Sequence, residues 1–185
     1  MKHYTDEDYE QWEGEENSEL IGGARYVMEP APTLGHQAIA TRLASEFHFQ
    51  LKNSRTCTVY QPLNYRIAND TILQPDMLVV CGEPGGLYLD FPPVLIAEIL
   101  SPSTALRDRN IKFSLYQSQR VLYYLIIHPG TQEVEVYRWE DGKYVLKAKG
   151  RDIHFTFELA ESNNPTDGKV DPAGARAEID FSQIW

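Results

Sequence analysis

The chain has 185 residues, 42% of them hydrophobic and 24% charged, and a net charge of −10. This composition excludes a disordered chain, and the length suits one domain with a sizeable core. No apolar run reaches the roughly 18–20 residues that span a bilayer, and Met1-Lys2-His3-Tyr4 leads into acid rather than an apolar signal segment.

Residues 1–19 read as an acidic, flexible arm ahead of a single domain over 20–185. Residues 1–20 hold eight acids against Lys2, so the remaining chain carries about −3. The stretch 105–120 is locally basic, with Arg107, Arg109, Lys112 and Arg120 against Asp108. Net charge therefore argues only weakly against a nucleic-acid partner.

After the arm, Gly22–Met28 reads as a short strand following a turn, closed by Pro30 and Pro32. Apolar positions 39, 40, 43, 47 and 51 predict an amphipathic helix from about Leu34 to Lys52, with Thr33 as its cap. Strands are expected at Thr56–Tyr60 and Leu63–Ile67, then another entered through Gln74-Pro75-Asp76. A Gly- and Pro-rich loop over 82–93 precedes the most apolar strand, Val94–Leu100. Ser101-Pro102-Ser103-Thr104 opens a helix to about Gln119, and Val121–Ile127 is a further buried strand. Glu133–Trp139 alternates like a half-exposed strand, and Asp141-Gly142 turns it into Tyr144–Ala148. Residues 161–175 read as a long surface loop, and Ile179–Trp185 as a docked tail. This order predicts an α/β sandwich, a central mixed β-sheet flanked by helices. Cys57 and Cys81 lie in strand-like runs without metal-ligand spacing, which predicts reduced core thiols in a cytoplasmic protein.

Asp76 and Glu98 are carboxylates inside runs that read as buried strands, where an uncompensated charge is expensive. Two acids on neighbouring strand ends, with the backbone carbonyl of Ile99, suit an oxygen-loving cation such as Mg²⁺ or Mn²⁺. A lysine nearby would orient an attacking water or stabilise a phosphorane, and Lys112 on the following helix is the candidate. Asp108, Lys112 and Tyr116 fall at i, i+4 and i+8, one row along that helix. The alternatives are a capping aspartate, a salt-bridged glutamate and a solvated Asp108–Lys112 pair. His36 shares a helix face with Ile39, Ala40 and Leu43, where a satisfied, partly buried histidine is the plainer reading. Glu46 falls near that face as a candidate extra acid, and Gln74 is a candidate hydrogen-bond donor beside Asp76.

Gln74-Pro75-Asp76, the string Pro92–Thr104 around Ala97-Glu98-Ile99-Leu100, then Arg107-Asp108-Arg109 and Lys112 to Tyr116 together resemble the Uma2 family. That family consists of predicted restriction endonucleases once grouped as a domain of unknown function. Further matches are Glu19-Leu20-Ile21-Gly22-Gly23 and His36-Gln37, so the likeness runs from about Leu20 to the end. The resemblance implies a restriction-endonuclease-like fold of the PD-(D/E)XK class, with Asp76 and Glu98 as metal ligands. Leu100 stands where that class usually has its lysine, and the resemblance transfers the role to Lys112. The leading expectation is a Mg²⁺- or Mn²⁺-dependent endonuclease cutting DNA as a homodimer, with Asp108 positioning Lys112 or a bound water. Its rivals are a nuclease-like fold that binds nucleic acid or protein without cleaving, and a hydrolase of another phosphodiester.

Overall fold

The computed structural model describes residues 2–12, 17–28, 32–159 and 175–185. Its frame is a six-stranded sheet built from β3 (Cys57–Tyr60), β6 (Met77–Cys81), β7 (Leu95–Ile99), β8 (Tyr123–His128), β9 (Glu133–Glu140) and β10 (Lys143–Gly150). The spatial order is β10-β9-β8-β7-β6-β3, and every neighbouring pair is antiparallel except β7–β8. A parallel pair needs a crossover, and the segment 100–122 supplies it. The mixed central sheet is thus the expected one. A second sheet has the order β2-β1-β5-β4, from β1 (Ser18–Ile21), β2 (Ala24–Val27), β4 (Tyr65–Ala68) and β5 (Thr71–Leu73). A hairpin of β11 (His154–Glu158) and β12 (Arg176–Asp180) completes the strands.

Strand alternation sorts the large sheet into two cores. Met77, Val79, Leu95, Ala97, Ile99, Leu125 and Ile127 face one side. There α2 (Leu34–Leu51) buries Ile39, Leu43, Phe47 and Leu51, four positions each one turn apart. Burying a side chain such as Phe47 contributes about 1.5–3 kcal/mol. The Thr33 side chain accepts from His36 N at 3.2 Å and starts this helix where the sequence placed its cap. Ile179, Phe181 and Ile184 pack on the same side, so the tail docks as expected. Leu78, Val80, Ile96, Tyr124 and Ile126 face the other side, against Tyr116 of the crossover and Tyr65 and Leu73 of the second sheet.

The crossover is not one regular helix. It runs as α3 (Ala105–Arg107), a π-helical turn over Asp108–Lys112, then α4 (Phe113–Ser118). Such turns widen the helix and turn backbone groups outward, and here the Asp108 carbonyl accepts from the Tyr124 hydroxyl at 3.0 Å.

Three expectations are corrected. Within the segment read as a mobile arm, α1 (Asp6–Glu10) is helical: Asp6 N bonds the Asn69 carbonyl, Arg66 bridges Asp6 and Asp90, and Arg25 stacks on Trp12. Farther on, Ser18 to Ile21 form a buried strand paired with β2 through Gly22-Gly23, both at positive φ (56° and 76°), as a two-residue hairpin turn requires. Lastly, Cys57 and Cys81 are not free thiols: they sit opposite each other in the β3–β6 ladder and are joined as a disulfide. The loop expected over 161–175 lies almost wholly outside the described residues.

Candidate functional site

The ladder between β6 and β7 ends at Met77↔Ala97, and Asp76 and Glu98 are the next residues beyond it on their two strands. Asp76 Oδ2 accepts from Ile99 N at 2.7 Å, which ties the two strand ends together. His36, in the first turn of α2, places Nε2 3.3 Å from the same oxygen. The hydrogen bond to Asp76 raises the imidazole's pKa against the opposing effect of burial. His36 Nδ1 is buried and has no hydrogen-bond partner among the described residues.

Glu98 alternates with Ala97 and Ile99 and therefore points to the crossover side, fully buried. Its Oε1 accepts from Lys112 Nζ at 3.0 Å and from the Tyr116 hydroxyl at 2.8 Å. No hydrogen bond reaches Oε2 among the described residues. Burial raises the Glu98 pKa well above the usual carboxylate range; Lys112 opposes this, while Asp108, Asp76 and Glu19 add to it.

Lys112 is itself buried, and its ammonium is shared: Glu19 Oε1 lies at 2.8 Å, Glu98 Oε1 at 3.0 Å and Asp108 Oδ1 at 3.4 Å. Burial disfavours the ammonium, but Glu98, Glu19 and Asp108 outweigh it and hold its pKa above that of an ordinary lysine. Asp108 is buried too, and desolvation raises its pKa in spite of Lys112. The expected row Asp108–Lys112–Tyr116 therefore faces inward, and the solvated-pair alternative is excluded.

Glu19 was not singled out as a site residue in the sequence. It lies on β1, and the acids crowded before it hid a carboxylate that directly precedes the apolar pair Leu20-Ile21. Besides Lys112 it binds Arg107 Nη1 at 3.1 Å through Oε2 and accepts from Gln74 N at 3.1 Å through Oε1. Gln74 thus joins the site by its backbone, while its side-chain amide donates to Asn64 Oδ1 at 3.0 Å. Glu46 lies ten residues after His36, roughly 15 Å farther along α2, and no described contact ties it to the cluster. The basic stretch 105–120 is also less open than its composition suggests. Arg107 and Lys112 pair with Glu19, and Arg109 binds Glu135 Oε1 at 3.0 Å and His128 Nε2 at 2.6 Å.

Among the described residues, no three His, Cys, Asp or Glu side chains gather as a metal-binding cluster. The Asp76 and Glu98 carboxylates form a pair of hard oxygen donors, which with a backbone carbonyl suits an ion that keeps several waters. The surplus of buried acid over its one shared ammonium is the chemistry that an added cation would relieve.

Residues 6–156 match the profile of Uma2, described as putative restriction endonuclease. The chain is 31% identical over 147 residues to an uncharacterized Synechocystis protein, slr1290, covering 76% of this chain and 77% of that one. A crystal structure from Anabaena variabilis, described as a putative nuclease belonging to DUF820, superposes with a TM-score of 0.64 at 22% identity. It covers 77% of this chain and 83% of its own, and supports the nuclease-type fold. No helix among the described residues is long and apolar enough to cross a membrane. With more than half of its length matched, the chain belongs to the Uma2 family.

Proposed function

We propose that this protein is a metal-dependent endonuclease that hydrolyses DNA phosphodiester bonds at the Asp76–Glu98 pair. One observation carries the reading: Asp76 bonds the backbone N of Ile99, the residue after Glu98, and Glu98 is held by Lys112 and Tyr116 through a single oxygen. Asp76 and Glu98, with the Ile99 carbonyl, are the residues that would hold Mg²⁺ or Mn²⁺. When bound, such an ion polarises the phosphodiester and favours deprotonation of water.

The chain's own groups have distinct parts. Tyr116 and Lys112 fix one Glu98 oxygen, Oε1, and neither bonds the other. Lys112 serves as a fixed positive charge beside the reacting phosphate; its raised pKa and three carboxylate partners keep the proton on it, so it is not the proton acceptor. Asp108 helps to hold Lys112, and His36 orients Asp76. Gln74 braces Glu19 through its backbone. Hydrolysis in this manner leaves 5′-phosphate and 3′-hydroxyl ends, and cutting both strands with one site per chain favours a homodimer.

Plasmid cleavage with Mg²⁺ and with Mn²⁺, repeated with Asp76→Ala, tests the proposal. Cleavage that needs the ion and disappears in the variant is the expected result. Cleavage that survives in Asp76→Ala contradicts it. Tight DNA binding without cleavage would favour the binding-module reading, for which the displaced lysine (Leu100 in its usual place) is the specific observation.

A further inference from the structure

Glu19 is a buried carboxylate to which the mechanism above gives no part of its own, and it makes the shortest contact to Lys112. It comes from the second sheet, whereas Asp76, Glu98 and Lys112 come from the large sheet and its crossover. Its position is fixed from both sides. Arg107 bonds Oε2 and stacks over the ring of Tyr26 at 5.0 Å, and Tyr26 is the cross-strand partner of Glu19. Gln74 N holds Oε1. For the fold alone, apolar residues in place of the whole buried ion pair would often be at least as stabilising.

We propose that Glu19 is a positioning residue of this site: it draws the Lys112 ammonium toward the second sheet, so that Glu98 stays available to a divalent cation. The inference rests on the metal-dependent reading. Without Glu19, Lys112 has Glu98 as its nearest partner and pairs with it fully, and the ammonium then competes with the cation for that carboxylate. Arg107 acts one step behind, keeping Glu19 from turning away.

The test is Mn²⁺ binding to the full chain, followed by titration calorimetry with the metal alone. Asp76→Asn should abolish binding; if it does not, the metal site itself is misassigned and the role proposed for Glu19 falls with it. Glu19→Gln should weaken Mn²⁺ binding about tenfold. The same substitution in a Lys112→Met background should change it by less than about twofold, because Glu19 acts through the ammonium. Equal weakening in both backgrounds means that Glu19 acts only as a distant charge, and no weakening means that it is structural; either overturns the proposal. Should Lys112→Met fail to fold, Lys112→Gln supplies the second background, in which Glu19→Gln should again change Mn²⁺ binding by less than about twofold; a tenfold loss there overturns the proposal.

Discussion

Glu98 and Glu135 stand in one row across the large sheet, each opposite Ile126 of the strand between them. Both are buried glutamates facing the crossover, and each receives a tyrosine hydroxyl, from Tyr116 at 2.8 Å and Tyr137 at 2.9 Å. Their pKa values nonetheless move in opposite directions. Burial disfavours the charge of Glu135, but Arg109, Lys149 and Tyr137 bond to it and bring its pKa down to about 2. Glu98 has one ammonium, and Glu19 and Asp108 share it. The difference shows how a sheet separates a well-compensated carboxylate from a poorly compensated one: Glu135 has cations to spare, while Glu98 lies in a cluster one cation short.

The largest effect that sharpens this comparison is expected from Lys112→Met. It leaves Glu19, Glu98 and Asp108 without their shared counter-charge, a loss of about 3–5 kcal/mol in urea denaturation at neutral pH. Glu98 and Asp108 have folded pKa values raised above their ordinary 4.5 and 3.8, so the folded state binds their protons more tightly. Stability of this variant should therefore fall as pH rises from those values and recover on acidification. A midpoint equal to wild type would contradict the account.

Glu135→Gln should cost less, about 1–2 kcal/mol, because Arg109 and Lys149 are partly exposed and find water when their partner is neutralised. The sign of its pH dependence is opposite. The depressed pKa means that the stabilisation from Glu135 is present above 4.5 and lost as pH falls toward 2. Acid denaturation of wild type and Glu135→Gln should converge over that window; parallel curves would break the comparison.

The smallest effects come from the two hydroxyls. Tyr116→Phe should cost about 1 kcal/mol, since it removes a donor from the poorly supplied glutamate. Tyr137→Phe should cost under about 0.5 kcal/mol, because the other Glu135 partners remain. Thermal melts of the two variants side by side read the difference, and the reverse order would count against it.

How much of this was legible in the sequence follows from what each element depends on. The α2 spacing, the Val94–Leu100 run and the Asp141-Gly142 turn are local signals, and each led to an element close to its observed bounds. Asp76, Glu98 and the row from Asp108 to Tyr116 were legible because charge inside an apolar pattern stands out. Glu19 was not, because its burial depends on β1 pairing not only with its hairpin partner β2 but with β5, which is distant in sequence. The π-helical turn leaves no apolar pattern of its own, and the 57–81 disulfide required knowing that β3 pairs with β6 in that register.

The central claim is that the cation-poor carboxylate, and not its cation-rich neighbour, belongs to the metal site. Mn²⁺ affinity measured against pH in wild type, Glu98→Gln and Glu135→Gln tests it most directly. The account predicts tightening as pH rises and Glu98 gives up its proton, loss of binding in Glu98→Gln, and little change in Glu135→Gln. Undiminished binding by Glu98→Gln, or its loss in Glu135→Gln alone, would contradict it.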